Sequence, residues 1–230
     1  MRNKVKPRFC FPSPRHRMFY LEHEVVRMDK NENSILLRGK LEDFPQFSHE
    51  NHRKRFFRFS LRVARLSGAE DVLPVIAEES LLDESQLWEG AHLCVRGQIR
   101  SHNQRSDGHR RLLVFVFASS VEHADGEPAN EVQLQGTLCR QPNLRRTPLG
   151  REICDVMLAV PRAYHRADYL PCILWGRTAE EISSCHTGDR IAIQGRLQSR
   201  VYTKQTELGI QERIAYEISA LSAQIEEEPM

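Results

Sequence analysis

The sequence predicts an all-β protein of two tandem OB-fold barrels, each five-stranded with a short helix between strands 3 and 4. Two observations lead to this prediction. The chain of 230 residues contains one pattern twice, and each copy consists of short runs in which apolar and polar residues alternate, as along half-buried strands. Three strands, a helix and two strands within about 95 residues fit the OB fold.

The internal repeat is visible in segments that keep their order and spacing. The segment DVLPVI, which begins at residue 71, recurs as DYLPCI 97 residues later, and GAHLCVRGQIRS, which begins at residue 90, recurs as GDRIAIQGRLQS 98 residues later. Gly39 and Gly136 are also 97 residues apart. We therefore predict one barrel at residues 31–126 and a second at residues 127–226.

Each element of the second copy follows from its local pattern. Alternating apolar residues predict strands, apolar residues at a spacing of three predict a short helix, and glycines in strands one and four mark the bends of a small barrel. The predicted strands are residues 132–138, 153–160, 169–175, 191–197 and 214–221, and the helix is residues 178–185.

The overall composition excludes several classes of protein. The net charge is only +2, so an argument for nucleic acid must rest on local charge. No apolar run is long enough to span a bilayer, which predicts no membrane association. The six cysteines form no CxxC pair, which indicates buried, reduced thiols in a cytoplasmic protein and no metal site.

The two ends of the chain carry opposite charge. Residues 1–30 hold eight basic and three acidic residues, a net +5, which predicts a flexible basic arm. Translation starting at Met28 is an equally good interpretation. Residues 227–230 form a short acidic tail, which we interpret as a solvated charge run.

The third predicted strand of the second copy has two apolar faces, although one face suffices for a core. By alternation Leu170 and Leu174 point inward, whereas Tyr169 and Trp175 point outward. The outer face of the next strand is rich in arginine and ends at Tyr202. Exposed rings among arginines are typical of surfaces that bind single strands, where bases stack on rings and cations follow the phosphates.

Three segments of the second copy carry a specific resemblance. NEVQLQGTLCRQPNLRRTPLGREICDVMLAVPR, DYLPCILWGRTAE and GDRIAIQGRLQSRVY together resemble the bacterial single-stranded DNA-binding protein family over nearly all of residues 130–226. The matching positions are Gly136, Pro142, Thr147, Pro148, Gly150, Ala159, Arg162, Ala179, Glu180, Gly195 and Arg200. The resemblance implies a non-enzymatic protein of the bacterial nucleoid, without a cofactor, that binds and protects single-stranded DNA in replication, recombination and repair, independently of sequence.

The resemblance also implies where the DNA binds. Tyr169, Trp175 and Tyr202 occupy positions at which family members stack bases, with Arg177 and Arg200 near the phosphate path. The loops and strands around this face add further candidates by their composition. These are Tyr164 for stacking, and Arg145, Arg146, Arg151, Arg162, Arg166, Arg196 and Lys204 for phosphate.

The first copy lacks this stacking platform. The repeat offset places Val72, Glu78, Ser80, His102 and Gln104 at the positions of Tyr169, Trp175, Arg177, Arg200 and Tyr202. We therefore predict a degenerate OB domain that pairs subunits or contacts partners, with weak phosphate binding by arginines between residues 96 and 111. Two interpretations are open for Phe56, Phe57 and Phe59: they belong to the barrel core, or they form a separate basic and aromatic patch.

Other functions stay open at this point. Alternatively, the exposed rings pack at the edge of the barrel or form a contact between subunits of an oligomer. The chain shows no phosphate-binding loop, nucleophile elbow or zinc-protease motif, so no enzyme is predicted. The competing function is a primosome-type OB protein that mainly binds protein partners. By analogy with tetrameric relatives, we expect a homodimer with four OB domains and contacts to replication or repair proteins.

Overall fold

The computed structural model describes residues 33–106, 109–206 and 209–226. The predicted arm at residues 1–30, the alternative start at Met28 and the tail at residues 227–230 lie outside the described residues. The first copy contains β1 (Asn33–Leu41), β2 (Gln46–Asn51), β3 (Lys54–Ala64), β4 (Glu70–Glu78), β5 (His92–Ser106) and β6 (His109–His123). The second contains β7 (Ala129–Leu138), β8 (Asn143–Arg146), β9 (Glu152–Arg162), β10 (Arg166–Trp175), α1 (Gly176–Ser183), β11 (Arg190–Thr206) and β12 (Gly209–Ile225).

Each copy closes into a five-stranded barrel, as predicted. Within its own copy, each first strand pairs with two neighbours: β1 with β5 and β3, and β7 with β11 and β9. The register shifts at Gly195 in β11, where a β-carbon would overlap the carbonyl oxygen of Ser219. Glycine is therefore required where this strand bends around the barrel.

The segment between the third and fourth barrel strands differs in the two copies. In the second copy it forms α1, two residues earlier than predicted, which buries Ala179 and Ile182. In the first copy two short 3-10 turns occupy this place, Glu79–Leu81 and Glu84–Gln86. The Asp83 carboxylate accepts a hydrogen bond from the backbone N–H of Ser85 at 3.0 Å. Asp83 thereby caps the N-terminus of the second turn.

The two barrels join through their first strands. β1 and β7 pair antiparallel, and Ile35 lies opposite Val132. Val132 is also the residue of the second copy that corresponds to Ile35 at the repeat offset of 97. The pairing is thus symmetric about this point, like the contact of a homodimer made within one chain. It links the two barrels into one sheet of twelve strands.

Two buried carboxylates at equivalent positions reinforce this contact. Asp71 of the first copy accepts hydrogen bonds from the backbone N–H of Ser199 at 2.7 Å and from Arg65. Burial raises the pKa of Asp71, but the hydrogen bonds from Arg65 and Ser199 outweigh it and hold this pKa below its usual value. Asp168 of the second copy accepts in the same way from the backbone N–H of Ser101, also at 2.7 Å. Each barrel therefore anchors the fourth strand of the other.

Candidate nucleic-acid interface

The outer face of β10 carries two exposed rings. Alternation along the strand is as predicted, since Leu170 and Leu174 are fully buried while Tyr169 is 45% and Trp175 37% exposed. The Trp175 indole N–H donates a hydrogen bond to the Ser219 hydroxyl at 3.1 Å. This bond fixes the ring at the end of the strand and leaves part of its face open to solvent.

The other two predicted stacking residues lie in less regular surroundings. Tyr164 is 91% exposed in the turn between β9 and β10, in a left-handed backbone conformation with φ of 61°. Tyr202 is half-buried on the extension of β11 beyond the barrel, with the Arg200 guanidinium carbon 5.9 Å from its ring centre. Tyr202 is thus available beside a cation, whereas Tyr164 has no defined platform around it.

Five of the predicted phosphate ligands already have carboxylate partners. Their ion pairs are Arg145–Asp155 at 2.5 Å, Arg146–Glu152 at 2.8 Å, Arg162–Asp168 at 3.4 Å, Arg177–Glu181 at 2.8 Å and Arg200–Glu217 at 3.2 Å. The hydrogen bond that Arg145 donates to Asp155 raises the pKa of the Arg145 guanidinium. Sequence position alone does not reveal these pairs, which a phosphate must replace or share.

Four predicted phosphate ligands have no ion pair within the described part of the chain. Arg151, Arg166 and Lys204 are exposed, and Arg196 is half-buried with its Nε unpaired in the interior. Arg166 begins β10 close to Tyr169, and Lys204 follows Tyr202 along β11. The three exposed cations need no exchange of partner to meet a phosphate.

A cavity of about 400 Å³, called the second-copy groove below, lies against the middle of β10. Pro171, Cys172 and Ile173 of β10 form its floor. Basic side chains border it, but it also contains Asp155 and the nearly buried Glu217. Its other lining residues are Arg140, Gln141, Asn143, Arg145, Val156 and Arg200.

The cysteines of the second copy are structural in character. Cys154, Cys172 and Cys185 are buried, and burial raises the pKa of each thiol, that of Cys154 to about 11. Cys139 is exposed, and partial burial still raises its pKa. Protonated thiols at neutral pH are poor nucleophiles.

Neither a metal centre nor a membrane-spanning helix is found within residues 33–106, 109–206 and 209–226. No three His, Cys, Asp or Glu side chains are grouped there as metal ligands. The α-helix in these ranges, α1, has eight residues and is too short to cross a membrane.

The first copy has aromatic residues on its outer face, but at other positions than the second. His49 stacks on Phe56 with ring centres 4.9 Å apart, and Phe56 lies 5.7 Å from Phe117. We call these three residues the ring row. Of the two interpretations of the phenylalanines, Phe59 belongs to the core. Phe56 is also buried, at 8% exposed, but it contacts the rings of His49 and Phe117. Phe57 is half-buried against Phe47 and Arg55.

Sequence reasoning missed the ring row and the buried carboxylates. His49, Phe56 and Phe117 come from three different strands, so no local pattern joins them. Asp71 and Asp168 did leave a signal, since each opens the matched DVLPVI and DYLPCI segments. An acid repeated at the start of an apolar strand indicates a satisfied buried carboxylate.

Comparisons with known proteins agree on one family. The family model described as the single-strand binding protein family matches residues 129–225. Single-stranded DNA-binding protein B of Bacillus subtilis is 37% identical in an alignment of 83 residues that covers 33% of this chain and 74% of that protein. The single-stranded DNA-binding protein of Deinococcus radiodurans is 24% identical in an alignment of 211 residues that covers 76% of this chain and 70% of that protein.

A solved structure extends the likeness to both copies. The wild-type single-stranded DNA-binding protein of Thermus aquaticus matches with a TM-score of 0.70 and 23% identity, over 86% of this chain and 94% of that one. This match concerns the fold, and it spans both barrels. Because the family model matches the second copy and the Bacillus subtilis protein is 37% identical to it, this chain belongs to the single-strand binding protein family.

Proposed function

We propose that this protein binds single-stranded DNA without regard to sequence, and that it protects such DNA during replication, recombination and repair. The observation that supports this most directly is the outer face of β10, where Tyr169 and Trp175 are exposed within the family-matched domain. Unpaired bases stack on such rings for about 1 to 3 kcal/mol each, whereas a duplex hides its base faces. The protein acts by binding and uses no cofactor.

In this proposal two groups of cations bind the phosphates. The exposed Arg151, Arg166 and Lys204 bind directly, as does Arg196 on β11, the strand that carries Tyr202. The paired arginines at 145, 146, 177 and 200 exchange a carboxylate for a phosphate. For Arg145, Arg146 and Arg177 this exchange costs little, because exposed ion pairs contribute only about 0 to 1 kcal/mol. For Arg200 the exchange costs more, because its partner Glu217 is buried. Arg162 is bound to the buried Asp168 and contributes from the edge of the face.

We also propose a homodimer whose two chains supply four OB domains. The pairing of β1 with β7 supports this, because each chain already forms an internal pair of barrels. In this arrangement residues 127–226 bind DNA on their outer face, while residues 31–126 take part in subunit pairing and in contacts with replication or repair proteins. The protein acts in the bacterial cytoplasm at the nucleoid.

The test uses intrinsic fluorescence, since Trp88 and Trp175 are the two tryptophans of the chain. Titration with oligo(dT) should quench emission, and affinity should fall as salt rises, because bound cations release counterions. Trp175→Ala should abolish most of the quenching and weaken binding by about 1 to 3 kcal/mol.

Trp88→Ala is the matched control, because this exposed indole lies in the first copy beside His123. It should keep both the quenching and the affinity. Absence of salt-sensitive binding in the unmodified protein would refute the proposal and favour a module that binds protein partners. Quenching that survives in Trp175→Ala would show that the bases do not stack on β10.

A further inference from the structure

The two exposed rings of β10 are held by different parts of the molecule. The Trp175 indole N–H donates to the Ser219 hydroxyl at 3.1 Å, so the second copy fixes this ring by itself. The backbone N–H of Tyr169 instead donates to the hydroxyl of Ser101 at 2.8 Å, and Ser101 lies on β5 of the first copy. A hydrogen bond between the two barrels therefore holds β10 at the Tyr169 ring.

The pairing of β10 with its neighbouring strands is uneven along its length. β9 pairs with every residue of β10, whereas β12 pairs with it at Cys172 and Ile173, beyond Tyr169. The Ser101 hydroxyl supplies a hydrogen-bond acceptor to the Tyr169 N–H in this less paired part of the strand. Removing that hydroxyl takes a partner from the N–H and lets the backbone beneath the ring shift.

Two reciprocal hydrogen bonds connect Ser101 to β10. Ser101 donates its backbone N–H to the Asp168 carboxylate at 2.7 Å, and its hydroxyl accepts from the next residue of β10, Tyr169. Arg100 donates to the same carboxylate at 3.1 Å. Because the Asp168 side chain is fully buried, the peptide group that joins Asp168 to Tyr169 has a fixed place against the first copy.

The equivalent contact between the barrels has no ring to position. The repeat counterpart of Ser101 is Ser199, whose backbone N–H donates to the buried Asp71 carboxylate at 2.7 Å. The Ser199 hydroxyl donates to this carboxylate too, at 2.9 Å, and the residue after Asp71 is Val72. The two contacts thus share the bond from a serine N–H to a buried aspartate, but their hydroxyl groups differ in what they bind.

We infer that Ser101 of the first copy is a positioning residue for DNA binding, which holds the Tyr169 ring of the second copy where a base stacks on it. This inference rests on the proposed function. A side chain that is held in place before the ligand arrives loses less conformational freedom on binding. Pro171, two residues further along β10, belongs to the floor of the second-copy groove, so Tyr169 is fixed beside that groove.

The test changes Ser101 in the full-length protein and measures binding of oligo(dT) by anisotropy of a labelled strand. Ser101→Ala should weaken binding by about 2- to 13-fold, the cost of ordering one residue on binding. Ser101→Thr keeps the hydroxyl and should bind like the unmodified protein, whereas Ser101→Val has the shape of threonine without the hydroxyl and should bind like Ser101→Ala. A cavity of about 680 Å³ borders Ser101 and leaves room for the added methyl group.

Ser199→Ala is the matched control. It removes the equivalent hydroxyl from the contact that carries Val72 in place of Tyr169, so it should leave the affinity for oligo(dT) unchanged. Circular dichroism confirms that each variant is folded. If Ser101→Ala does not fold, the comparison of Ser101→Thr with Ser101→Val decides.

A double-mutant cycle with Tyr169→Ala separates positioning from a merely structural role. Tyr169→Ala alone should weaken binding by roughly 5- to 150-fold, the loss of one stacked base. Ser101→Ala should then have no further effect, because the ring that Ser101 positions is gone. If Ser101 only joined the barrels, or bound DNA directly, the two losses would add. Quenching of Trp175 by saturating oligo(dT) should persist in Ser101→Ala, since Ser219 holds that ring.

The outcomes distinguish two failures. Normal binding by Ser101→Ala, normal binding by Tyr169→Ala, or losses that add in the cycle would each overturn this inference and leave the proposed function intact. So would a Ser101→Thr variant that binds as weakly as Ser101→Val. Failure of the unmodified protein to bind oligo(dT) would refute the proposed function itself.

Discussion

Replacing Asp168 by alanine tests how the two barrels are held in register. Its side chain is fully buried and accepts hydrogen bonds from the backbone N–H of Ser101 at 2.7 Å, from Arg100 at 3.1 Å and from Arg162 at 3.4 Å. The substitution removes all three acceptor contacts. It leaves two guanidinium groups without their counter-charge and one backbone N–H without a partner.

The size of the effect follows from burial. Removing one partner of a fully buried ion pair costs about 3 to 5 kcal/mol. Arg100 and Arg162 are 19% and 32% exposed, so water screens part of their charge. We therefore expect a loss of roughly 2 to 4 kcal/mol. For a chain of this size, that loss lowers the melting temperature by about 4 to 16 °C.

Urea unfolding followed by circular dichroism measures the loss directly. Asp125→Ala is the matched control, because this aspartate is exposed, and its stability should stay within about 0.5 kcal/mol of the unmodified protein. Asp168→Asn keeps an oxygen for the Ser101 N–H and should fall between the two. A loss below about 1 kcal/mol for Asp168→Ala would refute the claim that this carboxylate anchors the contact.

Two further predictions concern stability. Asp71 has a pKa below its usual value, so its contribution is present above the unfolded pKa and is lost as the pH falls through the lower folded pKa. Asp71→Asn should therefore flatten the acid side of a plot of melting temperature against pH, and an unchanged slope would contradict this. Gly195→Ala places a β-carbon against the Ser219 carbonyl and should cost at least about 1 to 3 kcal/mol in urea unfolding. A neutral result for Gly195→Ala would show that the bulge tolerates a side chain.

The sequence alone determined the repeat, the barrel class and the direction of the β10 side chains. Strand alternation is a local property with a period of two, so Tyr169 and Trp175 could be placed outward and Leu170 inward without any knowledge of neighbouring strands. The glycines in the first and fourth strands, which mark the bends of the barrel, could also be recognised from the local sequence. The two-copy OB fold follows from these patterns, and the matched Thermus structure agrees with it.

The tertiary structure alone decided which side chains meet across strands. The carboxylate partner of Arg145 lies ten residues away on β9, and Asp168 meets Ser101 across 67 residues of chain. The ring row likewise joins three strands. Such contacts depend on strand order and register, and a shift of one residue would turn every side chain to the other face. No one-dimensional pattern encodes this register, so these contacts between strands could not be predicted from the sequence.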